Sequence, residues 1–542
     1  MLGWMVAVTA AVHARDIQTD IPVVEVDFDT LSTDTFFMGN MRLITPCDTM
    51  IRIDTLIRPD TLIRADTLIH IDTLIRVDTV IQIDTTIITP DTLIHRDTLV
   101  HRDTLVHMDT LLHRDTLAYM DTLVVVDTIA HDTLRLNALV RHRGSSSLKY
   151  QKQSYAIKLI DSVGAKLDTS LLGMRKDNYW ILDAMAPDKA RMRQRVAFDL
   201  WLDFAVQPHY YDKEPELING SRGQFVEVNV NGDYRGLYCL MERVDRKQLK
   251  LKKMKEGEVR GILYKSVNWN DGFFSNAIPP YDPQAERWGC YEMQYPDTAT
   301  LIPWEPLYNA MLFAVNSSNQ EFVEQAPLRY DLPVFIDLYL FNALISARDG
   351  MGKNIFLSYY NIKKDSMLVP TPWDIDHSFG RMYNGNEESP LIRFNYWAPR
   401  LYPRLEKYDS TYIASRNARY ASLRREQFDA RRLKERFAQY FALFRQTGAA
   451  LREEQRWSGI DNIELDLEAE EQYIYNWIDR RLTFCDAYFK YVPDIVTSLP
   501  EQDYPTTDGN CEQTPVCKLL INGHLYLRKD GQLYDMQGRR VE

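Results

Sequence analysis

Residues 348–354 read Arg-Asp-Gly-Met-Gly-Lys-Asn, and residues 372–376 read Pro-Trp-Asp-Ile-Asp. An apolar segment of helical length precedes the first stretch, and two strand-like runs separate it from the second. Because paired strands bring the chain back to where the first strand began, we expect the two stretches to lie side by side. Together they predict a cluster of oxygen-bearing side chains.

The side chains in these stretches suit phosphoryl transfer from a nucleoside triphosphate. One carboxylate must orient the attacking hydroxyl, while amide and carboxylate oxygens must hold Mg²⁺ against the phosphates. Asp349 and Asn354 have the Asp-x-x-x-x-Asn spacing of a protein-kinase catalytic loop. Asp374 and Asp376 follow the strand pair and supply the further acid, and the pattern leaves open which of the two binds metal.

At least one cation must offset the charge of a triphosphate, and the strand-rich region upstream offers two lysines. Residues 155–158 read Tyr-Ala-Ile-Lys, similar to the Val-Ala-Ile-Lys strand of kinases, and Lys158 follows Gly144 by fourteen residues. Lys265, in a Leu-Tyr-Lys-Ser stretch, is the rival candidate. By itself, Lys158 also fits a strand lysine whose stem covers apolar surface.

Length and composition limit the class of protein. The chain has 542 residues, and 45% hydrophobic with 26% charged residues is a globular composition. A formal net charge of -12 argues against nucleic-acid binding, which needs a basic surface. Residues 1–14 form an apolar run ending in Val-His-Ala, which predicts a signal peptide and export from a bacterium. No later apolar run reaches the ~18 residues of a membrane span.

An Asp-Thr repeat with a period of six fills residues 48–134, after an N-terminal β segment at 15–47. Six is a multiple of the strand period, and β-branched residues fill the unit, so the repeat is predicted to be β-rich. A β-solenoid and an extended spacer both remain open. After a linker at 496–517, residues 518–542 alternate apolar and polar residues. This β tail resembles sorting tails of secreted bacterial proteins and suggests attachment to the cell surface.

Between repeat and linker, residues 135–495 are predicted to form one α+β domain with two lobes. Strands and a hairpin dominate its first half, and helices dominate residues 410–491. Residues 269–302 are rich in Pro, Gly, Asn and Trp, and we expect a long loop or an insertion there.

Several motifs occur in an order that resembles the CotH (spore-coat protein H) kinase family, from about residue 135 to 491. They are residues 141–147 (Arg-His-Arg-Gly-Ser-Ser-Ser), 171–174 (Leu-Leu-Gly-Met), 188–193 (Asp-Lys-Ala-Arg-Met-Arg), 230–238, 349–354 and 372–376. The resemblance implies an atypical protein-kinase-like fold, use of ATP with Mg²⁺ (or Mn²⁺), and phosphorylation of Ser or Thr in a protein substrate.

The resemblance also implies roles for individual residues. Asp349 matches the catalytic Asp, and Asn354 with Asp374 or Asp376 matches the metal ligands. The matching cofactor-binding residues are Arg143, Gly144, Ser145 and Ser146 over the phosphates, Lys158 reaching them, and Glu242 at the crossing between lobes. The chain departs from kinases in one respect that matters here: the helix after Lys158 has no Glu, so the ion-pair partner of this lysine is unassigned.

Two other functions fit parts of the pattern. A kinase-fold surface or adhesion protein with weak or no catalysis is consistent with the signal peptide, the spacer and the β tail. A metal-dependent sugar transferase is consistent with the Asp374-x-Asp376 pair, although the expected order of elements lacks the alternating βαβ units of such enzymes.

Overall fold

The computed structural model describes residues 21–46, 49–63, 79–84, 114–128, 133–268, 278–297, 303–393, 400–492, 516–521, 524–529, 532–534 and 540–541. The predicted signal peptide, parts of the repeat and most of the predicted linker lie outside these residues. The chain divides into two compact units, one ending at Tyr491 and the other running from Val492 to Glu542.

Strands build the first half of the larger unit. Their bounds are β1 (Val23–Phe28), β2 (Phe37–Ile44), β3 (Thr49–Ile63), β4 (Thr79–Asp84), β5 (Arg114–Thr128), β6 (Thr133–Arg143), β7 (Ser154–Ile160), β8 (Thr169–Ser170), β9 (Lys176–Asp177), β10 (Tyr179–Asp183), β11 (Gly223–Val230) and β12 (Asp233–Glu242).

A closed barrel forms from these strands in the order β1-β11-β12-β10-β7-β6-β2, because β2 pairs with β1. Alternate side chains fill its interior, and Ile157, Trp180 and Val228 are fully buried there. Since side chains alternate along a strand, Lys158 on β7 lies on the outer face. Strands from residues 15–47, predicted as a separate N-terminal segment, therefore complete the same barrel.

The described part of the repeat continues the β2–β6 hairpin of the barrel. Ile44 pairs with Thr133 in the barrel, and Thr49 pairs with Thr128 between β3 and β5, so one antiparallel register runs through both. Strand β4 pairs in parallel with β5 on the other edge. The described strands thus form a ribbon that extends two barrel strands. Whether the whole repeat is a solenoid or a spacer stays open.

A second sheet and the helices form the other lobe. Its elements are α1 (Arg193–Phe204), β13 (Ile262–Ser266), β14 (Arg287–Trp288), β15 (Tyr291–Tyr295), α2 (Glu305–Asn316), α3 (Asn319–Arg329), α4 (Leu332–Ile345), β16 (Ile355–Asn361), β17 (Asp365–Pro372), α5 (Leu401–Tyr408), α6 (Ser410–Arg425), α7 (Ala430–Gln446), α8 (Ala449–Trp457) and α9 (Leu467–Phe489).

The second sheet has the strand order β14-β15-β13-β16-β17, and all of its pairs are antiparallel. A long loop throughout residues 269–302 is therefore wrong, because β14 and β15 pair with each other as strands there. Helix α4 is buried on nearly all sides, as its continuous apolar sequence predicted. It lies in one hydrophobic core with α1, the second sheet and the other helices.

A buried charge network joins helix α8 to the barrel. Glu453 Oε1 accepts hydrogen bonds from Lys152 Nζ at 2.5 Å and Arg191 Nε at 2.7 Å, while Oε2 accepts one from Leu237 N at 2.8 Å. A Cβ on Gly236 would lie 2.0 Å from Glu453 Oε2, so glycine makes room for this carboxylate. Because a buried carboxylate without partners is costly, the network fixes the helix against the barrel.

The smaller unit contains β18 (Val516–Ile521), β19 (His524–Lys529), β20 (Gln532–Tyr534) and β21 (Arg540–Val541). Each strand pairs antiparallel with the next in the chain. In the described ranges, no helix is long and apolar enough to cross a membrane.

His209 joins three segments of the larger unit. Its Nδ1 lies 2.9 Å from Asp331 Oδ2, just before α4, and its Nε2 contacts the Asp365 carboxylate at the start of β17. Burial alone would lower the pKa of His209, but the hydrogen bonds to Asp331 and Asp365 outweigh burial and raise the pKa to about 9. The imidazolium of His209, hydrogen-bonded through both ring nitrogens, therefore stabilises the fold.

His209→Gln is expected to lower the free energy of unfolding by about 1–2 kcal/mol near pH 6, after allowance for partial solvent exposure. The stabilisation by His209 is fully present below the unfolded-state pKa of 6.5 and is lost as the pH rises through about 9. Denaturant unfolding of both proteins near pH 6 and near pH 10 measures the difference. An equal difference at both pH values would contradict the assignment.

Candidate active site

The stretch that contains Asp349 forms a tight turn after α4. Ser346 ends the helix in the left-handed conformation, and Asp349–Met351 form a 3₁₀ turn. Asn342, buried on α4, donates from Nδ2 to the Gly350 carbonyl at 3.0 Å. A Cβ at residue 350 would lie 2.4 Å from Asn342 Oδ1, so only glycine fits. Helix α4 thereby sets the position of Asp349.

Asn354 fastens this turn to the end of β17. Its backbone N–H donates to the Ser266 carbonyl at 3.1 Å, and its Nδ2 donates to the Asp374 carbonyl at 3.1 Å. Asn354 and Asp374 have φ angles of 55° and 52°, in the region that Asn and Asp tolerate best among residues other than glycine. The structure therefore brings residues 349–354 and 372–376 together.

His377 lies between the acids of the two stretches, and no sequence motif had singled it out. Its Nδ1 is 3.6 Å from Asp349 Oδ2, and its Nε2 is 3.3 Å from Asp376 Oδ1. Burial lowers the pKa of His377, but Asp376 and Asp349 outweigh burial and raise the pKa to about 9. Lys353 Nζ also lies 3.5 Å from Asp349 Oδ2. Two cations thus hold the Asp349 carboxylate.

The carboxylates of this region repel one another. The pKa of Asp376 is raised to about 7: burial is the largest cause, Asp374, Asp183 and Asp349 add to the rise, and His377 opposes it. A carboxyl group whose pKa is raised so strongly is typical of functional sites. A divalent cation among these groups would relieve the repulsion.

Asp183, at the end of β10, is a site residue that sequence reasoning missed. Ser154 Oγ donates to Asp183 Oδ1 at 3.2 Å, and Gln194 Nε2 of α1 donates to Oδ2 at 2.5 Å. Burial raises the pKa of Asp183, Arg143 lowers it, and Asp374 raises it. An Asp–Gln hydrogen bond thus joins β10 of the barrel to α1. No sequence motif pointed to this contact.

Arg143 and Lys265 are two further cations, which lie near Asp183 and Asp374 respectively. Arg143, at the end of β6, has its Cζ 5.6 Å from the centroid of the Trp373 ring. Lys265 lies on β13, where burial lowers its pKa and Asp374 is the largest influence that raises it. The rival lysine of the sequence analysis is thus electrostatically coupled to Asp374.

Lys158 lies elsewhere on the outer face of the barrel. Its Nζ is 4.1 Å from the centroid of the Phe36 ring and 5.3 Å from that of Tyr179. Among the described residues, it makes no ion pair with Asp349, Asp374 or any other acid. The prediction that Lys158 reaches the phosphates therefore has no support in this geometry, because the Tyr-Ala-Ile-Lys strand points the lysine away from the acids.

The loop at 144–146 is exposed and lies at the end of β6. Gly144 has a φ of 133°, and a Cβ there would lie 2.2 Å from Ser147 Oγ, so the turn requires glycine. Ser145 and Ser146 lead into a 3₁₀ turn. Tyr150 OH then donates to the Tyr383 carbonyl at 3.3 Å. The loop is thus attached to the segment that follows Asp376.

Glu242 has a structural role. Arg222 donates to both of its carboxylate oxygens, at 3.0 and 2.6 Å, and Arg175 N donates to Oε1 at 2.8 Å. Gln248 Nε2 adds a fourth contact at 3.3 Å. Because protein groups occupy both oxygens of this buried carboxylate, the geometry gives no support to the prediction that Glu242 binds a cofactor.

The site fits a metal that takes part of its ligands from a substrate. Among the residues that the structure describes, no three His, Cys, Asp or Glu side chains converge in the manner of a complete protein metal site. Mg²⁺ commonly uses one or two carboxylates plus phosphate oxygens and water. Asp374 or Asp376 can supply the carboxylate. Asn354 donates through Nδ2, which leaves Oδ1 as its ligating atom.

The strand-rich lobe, the helical lobe and the acids between them define a protein of the kinase-like class. The sequence profile of the family described as CotH kinase protein matches residues 140–485. The chain belongs to this family, which confirms the resemblance and the kinase-like α+β domain. A search of curated proteins found no match. The sugar-transferase alternative has no support, since the sheet beside the acids is antiparallel throughout.

Asn342→Ala is expected to loosen the Asp349 turn, because it removes the hydrogen bond that fixes the Gly350 carbonyl. We expect a loss of about 1–3 kcal/mol in the free energy of unfolding and faster amide hydrogen exchange at residues 349–354. Exchange by mass spectrometry, with Asn316→Ala on the exposed face of α2 as the control, measures the effect. Unchanged exchange at residues 349–354 would show that Asn342 does not position the turn.

Proposed function

We propose that this chain is an exported protein kinase, which uses ATP and Mg²⁺ to phosphorylate Ser or Thr of a protein substrate. The observation that carries the proposal is the arrangement of Asp349, Asn354 and the Asp374–Asp376 pair on one side, with Arg143 and Lys265 facing the acids. Membership of the CotH kinase protein family supports the same conclusion.

Each group has a role that its surroundings support. Asp349 accepts the hydrogen bond of the acceptor hydroxyl, and Lys353 and His377 hold its carboxylate at 3.5 and 3.6 Å. Asn354 and one acid of the Asp374–Asp376 pair hold the metal. When bound, Mg-ATP supplies the transferable phosphoryl group and the metal charge that offsets its phosphates.

Arg143 and Lys265 offset the remaining charge of the triphosphate. Burial lowers the pKa of Lys265, and an anion beside the ammonium group compensates for this cost. The exposed loop at 144–146 follows Arg143 directly and is the segment suited to cover the phosphates through its N–H groups and hydroxyls. In this assignment Lys265, and not Lys158, is the lysine that contacts the phosphates.

Export and surface attachment are further parts of the proposal. They rest on the apolar segment at 1–14 and on the β tail at 518–542, of which the described strands form an antiparallel meander.

Lys265→Met is expected to weaken Mg-ATP binding by about tenfold or more, because it removes a charge-assisted contact to phosphate. Lys158→Met is expected to change the affinity by less than about twofold, since Lys158 lies apart from the acids. Isothermal titration of both variants with Mg-ATP measures the two effects. The reverse ranking would restore Lys158 as the phosphate lysine.

Asp349→Asn is expected to reduce phosphoryl transfer by about 10²-fold or more, because the amide cannot accept the proton of the acceptor hydroxyl. Transfer of labelled phosphate from ATP to the chain itself or to a generic protein acceptor measures this loss. Asp479→Asn, on the exposed face of α9, is the matched control. Equal activity of wild type and Asp349→Asn would exclude Asp349 as the catalytic residue.

A kinase-fold binding protein with weak or no catalysis is the second candidate. The observation that favours it is the pair of cations, Lys353 and His377, at the Asp349 carboxylate. Melting temperatures measured with and without Mg-ATP separate the candidates. No rise with Mg-ATP, and no transfer by the wild type, would favour the binding protein.

A further inference from the structure

Three cations and two aromatic rings form a cluster on the outer face of the barrel. Lys158 Nζ lies 4.1 Å from the Phe36 centroid and 5.3 Å from that of Tyr179. Arg141 Cζ is 5.0 Å from the Phe36 centroid, and Arg243 Cζ is 4.7 Å from that of Tyr179. The two rings meet edge to face at 6.0 Å. We call these five residues the cationic–aromatic cluster.

The cations of the cluster have no acidic partners among the described residues. Arg141 donates to the Thr33 carbonyl at 2.6 Å, and Arg243 contacts Gln294 Oε1 at 3.5 Å. Lys152, Arg191 and Arg222, by contrast, each contact a buried carboxylate.

The like charges repel one another. Burial lowers the pKa of Lys158, Tyr179 raises it, and Arg243, Arg141 and Lys166 lower it further. Cation–π contacts offset only part of this unfavourable environment, since the pKa of Lys158 stays below its ordinary value. The positions of the three cations are thus held by rings and backbone, and the cluster would be stabilised by an anion.

The geometry also limits the kind of ligand. The cations lie against the aromatic rings, which leaves less ring surface for stacking by a nucleotide base or a sugar. The groups that remain for a ligand are the N–H donors of one ammonium and two guanidinium groups. Guanidinium groups match the oxygens of phosphate in pairs, and a multiply charged oxyanion neutralises several cations at once.

The cluster is distinct from the acids of the candidate active site. Lys158 and Tyr179 are paired across strands β7 and β10 of the barrel, whereas Lys265 lies on β13 of the second sheet, beside β16. A ligand at the cluster would therefore lie beside the proposed triphosphate site, not within it.

We propose that the cationic–aromatic cluster is a second phosphate-binding site, which takes a phosphoryl group carried by a protein side chain or by a free phosphate compound. The site does not depend on phosphoryl transfer by the chain. If the chain is a kinase, a site for a phosphorylated side chain would favour substrates that already carry a phosphate.

Isothermal titration of the full chain with a phosphoserine peptide, the same peptide with serine, and inorganic phosphate tests the proposal. The wild type is expected to bind the phosphoserine peptide at least about tenfold more tightly than the serine peptide. Lys158→Met should remove about tenfold or more of this affinity, whereas Lys363→Met, which removes an exposed lysine paired with Glu258, should not. A stronger response to the peptide than to inorganic phosphate assigns the ligand to a protein side chain, and an equal response assigns it to free phosphate.

Three results would overturn the proposal: no phosphate-dependent binding by the wild type, equal binding by Lys158→Met, or displacement of the peptide by saturating Mg-ATP. Lys158→Met should melt no lower than the wild type, because it removes a repelling charge. Arg243→Met tests the same site if the first variant does not fold. Asp349→Asn should bind the phosphoserine peptide normally, so failure of the kinase assignment can be told from failure of this one.

Discussion

The candidate site depends on one side-chain amide, that of Asn354, which spans from the start of β16 to the Asp374 carbonyl at 3.1 Å. Both residues have left-handed backbone conformations, and this contact holds the two stretches together. The Asn342 contact fixes the other side of the Asp349 turn. Two asparagines thus place Asp349 beside the Asp374–Asp376 pair, and one of them remains able to ligate a metal.

Buried charge pairs hold the surrounding framework. The Glu453 network joins helix α8 to β12, and Glu242 gathers Arg222, Arg175 and Gln248 at the end of the same strand. The candidate site differs from these networks because several carboxylates lie close together there, and their mutual repulsion helps to raise the pKa of Asp376. Crowded acids in the site, and cations without an ion-pair partner in the cationic–aromatic cluster, are the two electrostatic features on which the functional inferences rest.

Local sequence patterns predicted much of the fold and the central part of the site. The apolar run before Asp349 became helix α4, and the strand pair that follows it became β16 and β17, so residues 349–354 and 372–376 met as expected. The position of Lys158 was harder to predict, because the motif does not tell which face of β7 is outside the barrel. Asp183 and His377 became recognisable only in three dimensions, since each acts through residues distant in sequence or in another element.

The most direct test of the account is a crystal structure of the full chain with Mg²⁺ and a non-hydrolysable ATP analogue. The account predicts one metal bound by Asn354 Oδ1 and a carboxylate of Asp374 or Asp376, with Arg143 and Lys265 against the phosphates. A nucleotide bound at a distance from these residues, for example in either of the two cavities that Leu202 and Arg222 line, would contradict it.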